Sequence, residues 1–281
     1  MAILTISRQF GSGAKAVGEN VAKTMGYEHM DRARMLEELK RQGQACETWT
    51  REFEEHYPDA WGRYDWSFRG FVAVTQNMIL NHAKKDRVVI SGPGAGFLLR
   101  GVPHVLRVRI VASMQSRLDR VQSDAVSRET AKWLIEKADQ EMAHAVYTVY
   151  GRHWDKPSEY DMVFDVSAGP MEEAVGEITK ALVARDALKT DKAQKDLEMR
   201  ALAARIKAAI AIDATYDVTS LEVEEKEKGL PEYGIVVRGI IREKADIKEI
   251  EEMVRSIAGD VPVEVLFVNR WYPRFGPWQF K

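Results

Sequence analysis

Apolar positions along the chain follow two rhythms, and the change from one to the other marks the elements. Short runs rich in β-branched residues, Ile3 to Ser7, Arg87 to Ser91, His104 to Val111 and Asp161 to Val166, read as strands. The uninterrupted Val88-Val89-Ile90 has no polar face, as a strand buried on both sides requires. Between these runs the period lengthens. Val17, Val21, Ala22 and Met25 share one helical face that ends near Gly26, and Asp31 caps a second helix through about Gln42. Further helices are expected over 67–84, from Ala112-Ser113 through Arg117 and Arg120, from the N-cap Ser127 to about Tyr150, and over 170–184. Strands alternating with helices through residue 184 predict a parallel sheet covered on both faces, a three-layer α/β fold.

The pattern then changes. Residues 185–200 are charged and weakly amphipathic, which suits an exposed helical connector, so domains are expected over 1–184 and 199–281 with a linker at 185–198. Beyond it the order is a helix over 199–211, a strand near 221–226, a turn at Gly229-Leu230-Pro231, a strand over 234–241, a helix over 246–258 and a strand over 261–268, a small α+β module. Aromatic residues concentrate in two places. One set is Trp49, Tyr57, Trp61, Tyr64, Trp66 and Phe68; the other is the tail with Trp271, Tyr272, Phe275, Trp278 and Phe280. Such density serves base stacking or packing against a domain or a second subunit, and a homodimer through these segments is one expectation.

A chain of 281 residues has room for two cores. Its 41 basic and 43 acidic side chains nearly cancel, which removes any global electrostatic case for nucleic acid or an anionic membrane and makes anion binding a local matter. The first strand begins by Ile3, leaving no room for a secretory leader, and no run approaches the ~20 apolar residues of a membrane span, so a cytoplasmic location is expected. The single cysteine, Cys46, has no neighbouring His or Cys and reads as an unremarkable thiol; His144 and His153 are not spaced as metal ligands, and no metal-binding side chains are assigned.

The chemistry concentrates where the first strand meets the first helix, at Arg8-Gln9-Phe10-Gly11-Ser12-Gly13-Ala14-Lys15. Glycines let successive backbone N–H groups face one concavity, and the following helix adds unpaired first-turn donors and the positive end of its dipole. A phosphate fits there, with Lys15 reaching toward it. The loop departs from the pattern G-x-x-x-x-G-K-[ST], with Gln9 and Ala14 at the glycines and Ala16 at the hydroxyl position, so spacing alone also allows an ordinary strand-to-helix turn. Three more glycines, Gly92, Gly94 and Gly96, follow the strand ending at Ser91, where α/β sheets bind ligands.

The string ILTISRQFGSGAKAVGENVAKTMGY (3–27) resembles the opening of the cytidylate kinase-like family of P-loop proteins. YEHMDRARML (27–36), VVISGPGAGFLL (88–99), LRVRIVASMQSRLDRV (106–121), KADQEMAHAVYTVYGRHW (137–154) and YDMVFDVS (160–167) resemble its later segments in the same order, so the likeness covers about residues 1–184. It implies transfer of the ATP γ-phosphate to a small nucleotide or other small acceptor, with Mg²⁺. It also implies Gly11, Ser12, Gly13, Ala14, Lys15 and Ala16, with Arg117, around the ATP phosphates. Asp31, Arg32, Arg34, Gly92 and Gly94 would hold the acceptor, and Lys15, Asp31, Arg128 and Arg152 would serve catalysis and lid closure. On the residues alone Asp31 is equally an N-cap, and the basic positions of the 127–150 helix equally a solvated face. Ala14, Ala16, Pro93 and Met142 depart from the family pattern, which keeps open a nucleotide-binding regulatory or assembly protein without transfer chemistry. GIVVRGIIREKADIKEIEEMVRSIAGDVPVEVLFV (234–268) resembles a BON domain, a small α+β module associated with ligand or lipid-surface binding.

Overall fold

A computed structural model describes residues 1–55, 66–123, 125–167, 169–213, 215–225, 234–244 and 246–270. Tyr57, Trp61, Tyr64, the turn at 229–231 and the aromatic tail from Trp271 lie outside the described residues, and with them most of the aromatic expectation. Trp49 and Phe68 are described and buried. Two compact units emerge, Met1–Leu197 and Glu198–Lys281.

The first unit carries the strands β1 (Ile3–Arg8), β2 (Glu28–Asp31), β3 (Val88–Ser91), β4 (Val105–Val111) and β5 (Met162–Asp165), in the spatial order β2-β3-β1-β4-β5. Every pairing is parallel, with Thr5 opposite Ile90 on one side of β1 and Arg107 on the other. Parallel neighbours need crossover helices, which the chain supplies as α1 (Ala14–Met25), α2 (Arg32–Lys40), α3 (Gln44–Glu55), α4 (Trp66–Ala83), α5 (Ala95–Leu98), α6 (Met114–Val121), α7 (Arg128–Tyr150) and α8 (Met171–Asp186). All of β3 is buried, whereas the edge strand β5 alternates between half-buried and exposed positions. Val17 and Val21 of α1 meet Ile178 and Leu182 of α8 over Leu4, Val108 and Ile110 of the sheet. Each such side chain, buried in full, stabilises the unit by ~1.5–3 kcal/mol. This order makes β1 central, and because β3 and β4 flank it the chain leaves β1 and β3 at the same carboxyl edge, where a crevice opens.

The stretch after residue 184 is more than a bare connector. α8 runs to Asp186, Lys189 pairs with Asp86, and α9 (Asp191–Ile212) starts with Gln194 donating to the Lys84 carbonyl at 3.1 Å. Ala193 and Leu197 are buried. Four residues apart on one helical stripe, they give the charged sequence an apolar side that its composition hides.

In the second unit β6 (Val218–Glu225), β7 (Ile235–Ile241) and β8 (Val263–Asn269) form a separate mixed sheet, β6-β7 antiparallel and β7-β8 parallel, with α10 (Asp246–Ala258) crossing between the parallel pair. Its core joins Ile206 and Ile210 of α9 to Val237, Ile241, Ile250 and Val254. Among the described residues, no helix is long and apolar enough to cross a membrane.

Candidate functional site

At the carboxyl end of β1 the backbone leaves the sheet through a tightly fixed turn. Gln9 N–H donates to the Ile110 carbonyl at 3.2 Å, its side-chain oxygen accepts from Ala112 N–H at 3.0 Å, and Ser12 N–H closes back onto the Gln9 carbonyl at 3.2 Å. Gly11 and Gly13 hold φ of 74° and 84°, the left-handed region where a side chain is strained. Gly13 is the N-cap of α1 and brings no side chain to cover the first-turn N–H groups. The Ala16 N–H is taken by the Gly13 carbonyl at 3.1 Å, which leaves those of Ala14 and Lys15, with the helix dipole, for an anion. Ser12 Oγ, 1% exposed at the residue level, meets no hydrogen-bond partner among the described residues.

Two arginines of α6 hold the carbonyl side of the same loop. Arg120 Nη1 donates to the Ser12 carbonyl at 3.0 Å and the Gly11 carbonyl at 3.4 Å, while Nη2 reaches the Val166 carbonyl at 3.3 Å. Arg117, 4% exposed, donates from Nε to the Phe10 carbonyl at 2.8 Å and from Nη2 to Asp139 at 2.5 Å. Asp139, on α7, also accepts from Phe10 N–H at 3.0 Å. Arg117 thus braces the loop from behind, with its guanidinium on a loop carbonyl and the α7 carboxylate.

Lys15 projects from the first turn of α1 with 61% of its side chain exposed, and its Nζ lies 3.7 Å from both Glu19 and Asp31. Asp31 ends β2, and one of its oxygens caps α2 by accepting from Arg34 N–H at 2.9 Å. Lys15 and Asp31 are therefore neighbours. Arg32 and Arg34 part company. Arg32 lines the crevice, whereas Arg34 donates to the His29 carbonyl and Glu28 of β2 and to Glu38 one turn along α2. The hydrogen bond from His82 to Glu38, with those of Arg34, holds the Glu38 carboxyl below its ordinary value although burial, the largest single influence, pushes it up.

The crevice is a cavity of about 100 Å³, whose wall includes Ser7, Arg8, Arg32, Gly92, Glu141 and Trp154. One water needs only ~10–15 Å³ of such space, so the cavity has room for a small molecule. Gly92 and Gly94 stand in its wall together with Pro93. Arg128 and Arg152 do not: Arg128 donates to Gln115 at 2.6 Å at the start of α7, and Arg152 faces Glu159 at 3.7 Å.

Several residues in the wall or bonded to it escaped the sequence reading. Tyr160 Oη donates to the Trp154 carbonyl at 2.7 Å and sits 3.0 Å from Ser7 Oγ, which lines the cavity. Buried Arg109 donates to the same carbonyl at 2.7 Å, with its cation 4.1 Å from the centre of the Trp154 ring. Burial raises the Tyr160 phenol, and the Ser7 hydrogen bond and the Arg109 charge oppose that rise. On α7, Ala138, Glu141, Met142 and Ala145 recur at helical spacing toward the crevice region. That period was visible in sequence, but not which side of the helix would meet the sheet.

Residues 3–168 match the model of the Cytidylate kinase-like family. A cytidylate kinase of Pyrococcus abyssi (strain GE5 / Orsay) is 25% identical over 183 residues, covering 64% of this chain and 93% of that protein. Among solved structures, an uncharacterized protein from Eubacterium ventriosum ATCC 27560 superposes with a TM-score of 0.51 at 18% identity, over 66% of this chain and 99% of that one, a likeness of fold. A shikimate kinase from Acinetobacter baumannii in complex with shikimate gives a TM-score of 0.40 at 14% identity, over 66% of this chain and 94% of that one.

Proposed function

The chain belongs to the cytidylate kinase-like family, and from that premise we propose that its first unit is an ATP-dependent phosphotransferase acting on a small nucleotide or another small acceptor. The observation that carries this reading is the junction at β1. An amide-rich helix start with Lys15 beside it opens at the same sheet edge as a cavity whose wall carries Arg8 and Arg32. Charge neutralisation and positioning are what phosphoryl transfer asks of a protein.

The residues fit ATP phosphates: Phe10 and Ser12 N–H are occupied, but the amides of the two left-handed glycines and the start of α1 are left for an anion, Lys15 is within reach, and Ser12 Oγ is buried without a partner among the described residues. For Mg²⁺ the protein offers little. Ala16 has no side-chain oxygen, and no cluster of three metal-ligand side chains exists among the described residues. An ion arriving on the nucleotide and held mainly by its phosphates suits this site, and it would supply further charge neutralisation. In the transfer an acceptor oxygen bonds to the γ-phosphorus as the bond to the β–γ bridging oxygen breaks, releasing ADP. Lys15 balances the phosphate charge, Arg32 orients the acceptor, and Asp31, beside Lys15, takes the proton of a hydroxyl acceptor.

A second reading, nucleotide binding without transfer, is favoured by the Asp139 carboxylate, which occupies the Phe10 N–H and withdraws that amide from a phosphate, and by Ala16. Incubation with Mg-ATP and a panel of nucleoside monophosphates, nucleosides, small alcohols and small phosphates separates the two. Transfer predicts ADP formation with at least one acceptor above the acceptor-free rate. ATP binding with no ADP from any acceptor would leave the second reading standing. The α9-β6-β7-α10-β8 order of the second unit supports a BON-like regulatory or assembly module beside the kinase unit.

A further inference from the structure

The sheet of the second unit has two outer strands, β6 and β8, and their edges are finished differently. β6 is guarded. Its register with β7 shifts between Thr219 and Glu222, Ser220 holds φ of 49°, and Glu222 and Glu224 stand exposed along it. A kinked, charged edge discourages pairing with another chain. β8 carries none of these devices: Val263–Asn269 pairs with β7 without a shift and contains neither proline nor lysine. Ile235 N–H donates to the Pro262 carbonyl at 2.9 Å and Arg270 N–H to the Ile241 carbonyl at 3.1 Å, so the even-numbered backbone groups turn to β7 and those of Val263, Val265, Phe267 and Asn269 turn outward. Among the described residues no strand pairs with that side. The side chains alternate as well. Val263, Val265 and Phe267 pack on the core of the unit, which leaves Glu264, Leu266 and Val268 on the opposite face, Leu266 45% and Val268 50% exposed.

We propose that β8 pairs antiparallel with β8 of a second copy of this chain, about a twofold axis at Phe267, joining the two sheets into one. Charge selects both orientation and register. The exposed row runs from the acidic Glu264 through Leu266 and Val268 to the basic Arg270. Parallel pairing in register would set like charges side by side at both ends. Antiparallel pairing about Phe267 sets Glu264 opposite Arg270 of the second copy and Leu266 opposite its Val268. A slip of two residues would put Glu264 against Val268 in one direction and Leu266 against Arg270 in the other. The row is thus complementary to itself under a twofold rotation, as an isologous contact requires. One strand edge and one row of side chains make a small interface, so this dimer forms and dissociates with concentration.

The test is sedimentation velocity of the whole protein over a range of concentrations, which should show a monomer–dimer equilibrium. Leu266→Lys combined with Val268→Lys sets like charges opposite each other and weakens the dimer at least about tenfold, with the melting curve unchanged because both positions are exposed. Thiols then read the register. Across the new edge, position 266 faces position 268 of the second copy as a non-hydrogen-bonded pair with Cα atoms about 4.5 Å apart, within disulfide range, whereas like positions lie about 7–8 Å apart on the diagonal. A mixture of Leu266→Cys and Val268→Cys proteins therefore cross-links on oxidation and either protein alone does not; Cys46 is buried and takes no part. A monomer at every concentration, the result expected if residues 271–281 of the same chain cover this edge, overturns the proposal. So does a dimer indifferent to the lysine substitutions, or cross-linking of one variant alone as fast as the mixture. None of these readouts involves ATP, so they are independent of whether ADP is ever formed.

Discussion

The two glycine-bearing turns at the carboxyl edge of the sheet are held by opposite means. The turn after β1 is fixed by charge: Arg117 and Arg120 on its carbonyls and Asp139 on the Phe10 amide. The turn after β3 is fixed by shape, with Met35 packed against Gly92 and the Tyr150 ring against Gly94. A loop that must present amides to a phosphate needs its carbonyls occupied elsewhere, and arginines do that without competing for the anion. A loop that bounds the acceptor needs only a surface, and that surface is free to follow the acceptor. The phosphotransferase proposed above would therefore meet a fixed partner at one end of this site and a variable one at the other.

The largest effects should separate the two turns by substituting one glycine in each. A Cβ at Gly11 would lie 2.8 Å from Val121 Cγ2 and 3.3 Å from the Arg117 carbonyl, at φ +74°. Gly11→Ala is expected to cost about 2–4 kcal/mol in urea unfolding and to remove ATP binding, since neither neighbour yields readily. A Cβ at Gly94, at φ +72°, would meet the Tyr150 ring at 2.4 Å, and a ring at the end of a side chain can swing aside. Gly94→Ala should cost about 1–2 kcal/mol and leave ATP affinity within twofold of wild type. Equal losses of ATP affinity in the two variants would erase the distinction between the turns.

A smaller effect tests the link between them. His29, on β2, shares a hydrogen bond of 3.1 Å with Ser91 Oγ, immediately before Gly92. Burial lowers its pKa, partly offset by Asp31 and Glu19. With the folded value below the unfolded ~6.5, the unfolded chain binds more protons across that interval, so stability rises with pH through it. The contribution is complete above about pH 7 and is lost as the pH falls below ~6.5 toward the folded value. Unfolding titrations at pH 7 and pH 5.5 should show the wild type losing more stability than His29→Gln. An equal loss would mean that His29 titrates as it does in the unfolded chain.

Much of the fold was legible because local pattern and burial agree. Val88–Ser91 is the apolar run expected of a strand, Ser127 caps α7 by accepting from Thr130 N–H, and α10 spans Asp246–Ala258 as its period predicts. The site was legible only where it is local. The loop and Lys15 adjoin in sequence, but Arg117 meets Phe10 across 107 residues, and no pattern within α6 says which face will find the loop. Arg32 and Arg34 part for a simpler reason. Two positions apart on a helix they point to nearly opposite sides, so Arg32 stands in the crevice wall and Arg34 does not. Glu141 lies on a helix whose crevice-facing side is chosen by the sheet order, which the linear sequence does not state.

On the proposed function the turn after β1 binds the phosphates of ATP through its amides and Lys15. Calorimetric titration of ATP in the presence of Mg²⁺ into wild type and Lys15→Ala tests it most directly. Loss of a charge-assisted contact to phosphate predicts affinity at least about tenfold weaker in the variant with the fold intact by circular dichroism. Equal affinity in the two proteins would contradict the account.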